Sequence, residues 1–159
     1  MPTSRYDPPT WLPISQKDYK KWIDRKAAAH VKRDRKRCEY EISIADYREK
    51  MHRAVHDHGR CDFYTGEKLD WKLIGTYCNE ASAKGRSLYK AGMALLPTVD
   101  HISGEGGKYD FVICSWRTNN AKADLSYDDF VSLCERVLLH KRSKARHALN
   151  TDTTNTVTE

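Results

Sequence analysis

Asp100 and His101 stand next to each other at the end of a short apolar segment, and their side chains are of types that could do chemistry together. Neighbouring side chains of a β-strand point to opposite faces, so the two groups can divide the tasks of one site. A carboxylate binds a hard cation, and an imidazole can take a proton from water near neutral pH. The dipeptide alone is a weak signal, because a hydrogen-bonded Asp-His pair at a strand end is also common in proteins without this chemistry.

The surrounding stretch predicts two strands that position this pair. Short runs of Val, Ile, Thr and Phe bounded by Gly and Pro predict strands at 95–102 and 111–116, joined by a glycine-rich loop at 103–108. If the hairpin folds back, Asn119 can join Asp100 as an oxygen ligand of Mg²⁺. A cation held there would polarise a phosphodiester, while His101 takes a proton from the attacking water.

The composition favours a small basic protein with a polyanionic partner. The 159 residues support one domain, or one domain with an appendage. A total of 28 Lys and Arg against 22 Asp and Glu gives a net charge of +6, which favours nucleic acid. No signal peptide and no membrane-spanning run is recognisable. Five cysteines without a C-x-x-C pair argue against a disulfide framework, so we expect a reducing, cytoplasmic location.

The N-terminal part predicts two helices. The first begins at the capping residue Ser15 and runs to about Arg37, and its apolar face carries Tyr19, Trp22, Ile23, Ala27 and Val31. It ends in the basic run at 32–37, which is either a solvated helix face or a contact to the phosphate backbone. The second helix begins at Ser43 and ends at Gly59. His52 and His56 lie four apart on it, and we interpret them as surface histidines.

The C-terminal part predicts a further helix, followed by a disordered tail. Ser126 with Asp129 forms an acidic variant of the capping box. Leu133, Val137 and Leu138 belong to an apolar stripe that we expect to pack in the core, which would also explain Cys134. Residues 151–159 have no apolar pattern and predict disorder.

The order of Asp100-His101-Ile102, a Gly-Gly loop, a strand and Asn119-x-x-Lys122 resembles the HNH endonuclease motif of the ββα-metal fold. The stretch VICSWRTNNAKAD is similar to the HNH domain of RNA-guided CRISPR nucleases. The resemblance covers about residues 59–140, with a specific core at 97–124. It implies that His101 is the general base and that Asp100 and Asn119 hold one divalent cation, Mg²⁺ or alternatively Mn²⁺. Asn120 is the rival to Asn119, and Lys122 is the lysine of the motif.

Two departures from the family pattern affect this assignment. The asparagine at the head of the second strand of the family is Asp110 here, and this carboxylate could bond the imidazole or join the metal shell. Many relatives also bind a structural zinc through two C-x-x-C pairs. The corresponding positions here carry Cys61 with Tyr64 and Ser115 with Thr118, so we expect no structural zinc. Apolar packing is expected in its place, from Phe63, Tyr64, Trp71 and Trp116.

Together these features predict an α+β protein with a ββα-metal (HNH) core and an N-terminal helical extension. The expected divisions are a basic helical region at 1–58, a nuclease domain at 59–145 and a disordered tail at 146–159. The expected activity is metal-dependent hydrolysis of DNA, and the alternative is an inactive HNH scaffold that binds nucleic acid. RNA remains open as a substrate, and two strand breaks from one site would require a homodimer. The catalytic residues would be His101, Asp110 and Lys122, and the residues expected to contact DNA are Arg33, Arg35, Lys36, Arg37 and Arg117.

Overall fold

The computed structural model describes the backbone of residues 6–36, 41–103 and 109–154, and the side chains within these ranges except Ser103 and those beyond residue 146. The chain is mixed helix and strand, which agrees with the expected α+β class. Its elements in order are α1 (Gln16–Asp34), α2 (Ile44–His58), a 3₁₀ helix (Trp71–Leu73), α3 (Asn79–Gly92), β1 (Pro97–Ser103), β2 (Tyr109–Ser115), α4 (Trp116–Lys122) and α5 (Tyr127–Thr154).

Serine caps begin three of the helices, as the sequence predicts. The hydroxyl oxygens of Ser15 and Ser43 accept the backbone N–H groups of Asp18 and Asp46 and so satisfy donors that the first turn leaves unpaired. The same arrangement joins Ser126 to Asp129 at the start of α5. These caps depend only on local sequence, because donor and acceptor lie three residues apart.

The two strands form an antiparallel hairpin whose faces have different neighbours. Val99 pairs with Ile113 and His101 pairs with Phe111, and this face turns toward α1 and α2. Asp100 pairs with Val112 and therefore lies on the opposite face. The register thus separates the two adjacent residues, as the sequence predicts.

The core joins the N-terminal helices to the hairpin. Side chains from α1, α2 and both strands form one buried apolar cluster around Trp22, Tyr47 and Ile113. Its aromatic rings meet edge to face, with 5.1 Å between the centroids of Trp22 and Trp71 and 4.8 Å between those of Tyr47 and Phe111. Burial of a large side chain of this kind contributes about 2–3 kcal/mol, so separating α1 from the hairpin would cost much of the stability of the fold.

This shared core changes the expected division of the chain. The compact units are Met1–Ala121 and Lys122–Glu159, so the structure shows no boundary at residue 58. The helices at 1–58 and the hairpin belong to the same unit because they bury the same apolar surface. The second unit contains α5, which continues through 146–154, where the sequence predicts a disordered tail. Residues 155–159 lie outside the described part of the chain.

The apolar stripe of α5 does not pack as expected. Leu138 is 50% exposed and Val137 is 60% exposed, so these side chains are not core residues. Cys134 is exposed as well. Helical periodicity predicts a stripe correctly, but it carries no information on what covers the stripe. No helix in the described part of the chain combines the length and the apolar character required to cross a bilayer.

Candidate active site

His101 lies on the face of β1 that turns toward α1, and its imidazole is held by a carboxylate from that helix. The Nε2 atom of His101 is 2.7 Å from Oδ2 of Asp34, whose side chain is only 2% exposed. The ring of His101 also packs against those of Tyr109 and Phe111, with centroid distances of 4.5 and 5.1 Å. The imidazole is therefore fixed by a hydrogen bond and by contacts with two aromatic rings at inclined angles.

The surroundings of His101 and Asp34 favour a neutral imidazole beside an ionised carboxylate. Burial lowers the pKa of His101, and this effect outweighs the hydrogen bond that its imidazole donates to Asp34, which raises the pKa. Burial raises the pKa of Asp34, but hydrogen bonds from His101 and Arg33 more than compensate and bring it below its ordinary value. At neutral pH the Nε2–H of His101 therefore donates to Asp34, and Nδ1 carries the lone pair.

Two further residues of α1 complete a cluster around His101. Nδ1 of His30 lies 3.2 Å from Nε2 of His101. The guanidinium of Arg33 donates to Nδ1 of His101 and, over 2.9 Å, to Nδ1 of His30. Burial, followed by the charge that His101 carries when protonated and by the charge of Arg33, lowers the pKa of His30 to about 3. His30 is therefore a neutral acceptor, and the guanidinium of Arg33 lies against the Nδ1 atom of both rings.

Asp100 is buried on the opposite face of β1, where Tyr64 holds it. Its Oδ2 atom accepts the phenol hydroxyl of Tyr64 over 2.7 Å, and Oδ1 accepts the backbone N–H of His101 over 2.8 Å. Burial, followed by this hydrogen bond to Asp100, raises the pKa of Tyr64, so the phenol remains a donor at neutral pH. The carboxylate of Asp100 is thus oriented by two donors.

A hydrogen-bonded knot centred on Asp62 lies between the turn after Cys61 and the end of β2. The buried carboxylate of Asp62 accepts the backbone N–H groups of Tyr64 and Ser115, each over 2.8 Å. The hydroxyls of Ser115 and Thr118 lie 2.9 Å apart beside it. This polar network ties the turn after Cys61 to the junction of β2 and α4. Of the four aromatic residues expected to pack there, Phe63 is 44% exposed and only Trp71 is fully in the core.

The remaining expected site residues lie on α4 and at the start of β2. Asn119 is half-buried and Asn120 is exposed on α4, which begins directly after β2. Lys122 ends this helix and is buried. Asp110 does not bond the imidazole: its carboxylate accepts the backbone N–H of Phe111 and faces Arg53 at 3.6 Å. The carboxylate partner of His101 is Asp34 instead, because His101 faces α1.

Most of the basic residues expected at DNA have partners within the chain. Besides Arg33, the guanidinium of Arg35 donates twice to the carbonyl of Ile42. Arg117 pairs with Glu67. Lys36 is exposed, and Arg37 lies outside the described residues. The basic run is therefore partly an internal structural element and not only a solvated face.

His30 and Asp34 are site residues that the sequence pattern alone did not single out. Both are buried, and they continue the apolar face of α1, His30 three residues after Ala27 and Asp34 four residues after His30. A histidine and an aspartate on the buried face of a helix require partners inside the protein. That requirement is the signal by which they could have been found, although it does not name His101 as the partner.

The sequence around Asp62 also indicates part of the role of this residue. A carboxylate four residues before Gly66, in a short polar segment, is typical of a side chain that caps its own turn. Its oxygens do accept the N–H groups of Tyr64 and Thr65. The further bond to Ser115 connects residues 53 positions apart, and local sequence does not indicate it.

No protein-family model, curated protein or solved structure that was compared with the chain matches it. What the protein does must therefore be inferred from its own residues.

Proposed function

We propose that the protein is a metal-dependent HNH-type endonuclease that hydrolyses phosphodiester bonds in DNA, with His101 as the general base. The observation that carries the proposal is the bond between His101 and the buried carboxylate of Asp34. It leaves Nδ1 as the basic nitrogen of the imidazole, while the adjacent residue, Asp100, offers a buried carboxylate on the opposite face of β1. The hairpin and the helix that follow in the chain have the order of a ββα-metal motif.

Asp34 acts in this proposal as a positioning residue. An imidazole can carry its proton on either nitrogen, and only the unprotonated nitrogen can accept a proton from water. The bond from Nε2–H to Asp34 selects the tautomer with a lone pair on Nδ1. When Nδ1 takes the proton of the attacking water, the negative charge of Asp34 stabilises the imidazolium that forms.

Asp100 and Asn119 are the proposed ligands of one divalent cation. A buried carboxylate and an amide oxygen are donors that suit Mg²⁺, which keeps several waters and needs few protein ligands. Oδ2 of Asp100 accepts the hydroxyl of Tyr64 and Oδ1 accepts the backbone N–H of His101, so both oxygens are held in place. When bound, the cation would polarise the scissile phosphate and stabilise the leaving 3′ oxygen.

Arg33 provides the proposed contact to the scissile phosphate. Its side chain is 43% exposed and its guanidinium lies against Nδ1 of His101, next to where the reacting phosphate would bind. A guanidinium forms two parallel hydrogen bonds with a phosphate, which are stronger than its contact with a neutral ring. Arg33 would therefore leave the imidazole for the phosphate when DNA binds, and Lys36 and the net charge of +6 would add to the attraction.

Nicking of supercoiled plasmid tests the proposal. With Mg²⁺ or Mn²⁺ the purified protein should convert supercoiled plasmid to the open circle, and EDTA should stop the reaction. His101→Ala should lower the rate at least about 100-fold, the usual contribution of a general base. His56→Ala is the matched control, because this histidine is exposed on α2 and contacts the backbone of Asp7.

The other outcome of the same assay defines the second candidate function. Arg33 covers the basic nitrogen of His101, and Asp110 replaces the asparagine of the motif, and both features suit a scaffold that binds nucleic acid without cleaving it. Retention of plasmid in a gel-shift experiment, with no nicking in any metal, would assign the chain to that class. Equal nicking by wild type and His101→Ala would refute both assignments of the site.

A further inference from the structure

His30, Asp34 and His101 form a second group of metal-ligating side chains, separate from Asp100. One ligand atom from each of the three lies within 4.8 Å of the other two. His30 and Asp34 are four residues apart on α1, so both project from the same side of the helix, and His101 faces them from β1. We propose that these three side chains form a binding site for a transition-metal ion of the zinc class.

The distances between these groups suit a metal of that size. Ligands at 2.0–2.1 Å from a tetrahedral ion stand about 3.3 Å apart. Nδ1 of His30 and Nε2 of His101 are already separated by 3.2 Å. The hydrogen bond of 2.7 Å between Nε2 of His101 and Oδ2 of Asp34 needs to open by only about half an ångström to reach the same spacing.

The guanidinium of Arg33 already uses this pocket as a cation-binding site. Its Nη2 atom lies 2.9 Å from Nδ1 of His30 and 3.1 Å from Nε2 of His101, and its Nε atom lies 3.2 Å from Asp34. A guanidinium has no acceptor, so its contact with His30 requires a lone pair on that ring. The pocket therefore presents the lone pair of His30 Nδ1 and the carboxylate of Asp34 to a positive group, and Arg33 is partly exposed and can swing out.

The ligand types select the metal. Two imidazoles and one carboxylate suit Zn²⁺, Co²⁺ or Ni²⁺, whereas Mg²⁺ prefers oxygen ligands only. Three protein ligands leave a fourth position for water or for a substrate group. This site would therefore discriminate against the cation that Asp100 and Asn119 would bind.

Binding at this site would change the state of His101. When Nε2 becomes a ligand, its proton moves to Nδ1, the nitrogen that Arg33 vacates. His101 then has no lone pair left to accept a proton from water. This consequence rests on the proposed function, and it predicts that Zn²⁺ inhibits nicking in the presence of excess Mg²⁺.

Titration of the full-length, EDTA-treated protein with Co²⁺ alone tests the site without DNA and without any activity. One equivalent of Co²⁺ should produce visible d–d absorption bands, and Zn²⁺ should abolish them. His30→Gln and Asp34→Asn should each weaken Co²⁺ binding about tenfold or more, as loss of one ligand does. Arg33→Ala removes the competing cation from a partly exposed position, so this variant should fold normally and bind Co²⁺ more tightly.

His56→Ala is the control variant, because His52 and His56 also stand four apart on a helix, with ring centroids 4.5 Å apart. It should leave the titration unchanged. The proposal is overturned if Co²⁺ produces no bands, if His56→Ala abolishes them, or if His30→Gln and Arg33→Ala both titrate like the wild type. A protein that binds Co²⁺ as expected but never nicks DNA would support this site and refute the proposed nuclease.

Discussion

Nε2 of His101 lies 2.7 Å from Oδ2 of Asp34, although the two residues are 67 positions apart in the chain. The contact exists because α1 packs on the face of β1 that carries His101, within a core that both elements share. The N-terminal helix is therefore part of the candidate active site and not an attached binding arm.

Asp34→Asn should slow cleavage more than Asp110→Asn. The asparagine can place its amide NH₂ toward Nε2, which favours the tautomer with the proton on Nδ1 and removes the base. Loss of general-base catalysis corresponds to about a 100-fold lower rate, whereas Asp110 faces Arg53 and not the imidazole. Single-turnover nicking by the two variants measures the difference, and ¹⁵N shifts of His101 report its tautomer independently. A larger loss in Asp110→Asn would contradict the assigned partner.

The pH dependence of cleavage should reflect the lowered pKa of His101. The base works only when neutral, so the rate should fall on the acid side, at a pH below the ordinary histidine value of about 6.5. In Asp34→Asn the residual rate should fall at a still lower pH, because the hydrogen bond that raises this pKa is lost. Rate profiles from pH 4.5 to about 8 test both statements. If the rate of Asp34→Asn instead fell at a higher pH than that of the wild type, this result would be inconsistent with the hydrogen bond between His101 and Asp34.

The parts of this fold that local sequence could predict are those that depend on neighbours in the chain. Ser15 and Ser43 cap their helices through residues three positions away, and the alternation of Asp100 and His101 follows from the strand itself. The partner of His101 could not be predicted in this way. Whether α1 would cover the hairpin depends on packing between segments that are distant in the chain.

The same limit explains the error at α5. The apolar spacing of Leu133, Val137 and Leu138 predicts the helix correctly, but it also predicts a buried stripe, because most such stripes on helices of globular proteins face a core. Whether the stripe is buried or exposed depends on whether another apolar surface of the protein packs against it. The knot at Asp62 is comparable, since its bond to Ser115 joins two segments whose contact no local pattern indicates.

Asp62→Ala should destabilise the fold strongly. The substitution removes a buried carboxylate and leaves the N–H groups of Tyr64 and Ser115 without their acceptor, which should cost about 3 kcal/mol of unfolding free energy. Asp70→Ala is the matched control, because Asp70 is exposed and accepts one backbone N–H, from Lys72. Its cost should stay near 1 kcal/mol or below, about the value of a single cap. Urea unfolding of both variants measures the difference, and equal losses would rule out the knot.

Lys26 should give the protein a stability that rises at alkaline pH. Burial, aided by the charge of Arg25, lowers the pKa of Lys26 from 10.5 to about 8, while its ammonium donates to Thr98 over 2.6 Å. Between these two pH values the unfolded chain binds a proton that the folded chain does not, so stability increases with pH, by up to about 3 kcal/mol in total. In Lys26→Met this rise should disappear. Urea unfolding at pH 7.5 and about 9.5 tests it, and an identical rise in both proteins would exclude Lys26 as its source.

Asp100 and Asn119 are proposed to hold one divalent ion. A double-mutant cycle on Mn²⁺ affinity tests this pair of ligands most directly. Each single alanine variant should weaken Mn²⁺ binding, measured by electron paramagnetic resonance, about tenfold or more, and the double variant should lose less than the two effects combined. Asn120→Ala, next to Asn119 but exposed, should bind Mn²⁺ as the wild type does. Full additivity, or a loss in Asn120→Ala with none in Asn119→Ala, would contradict the ligand pair on which the assigned chemistry depends.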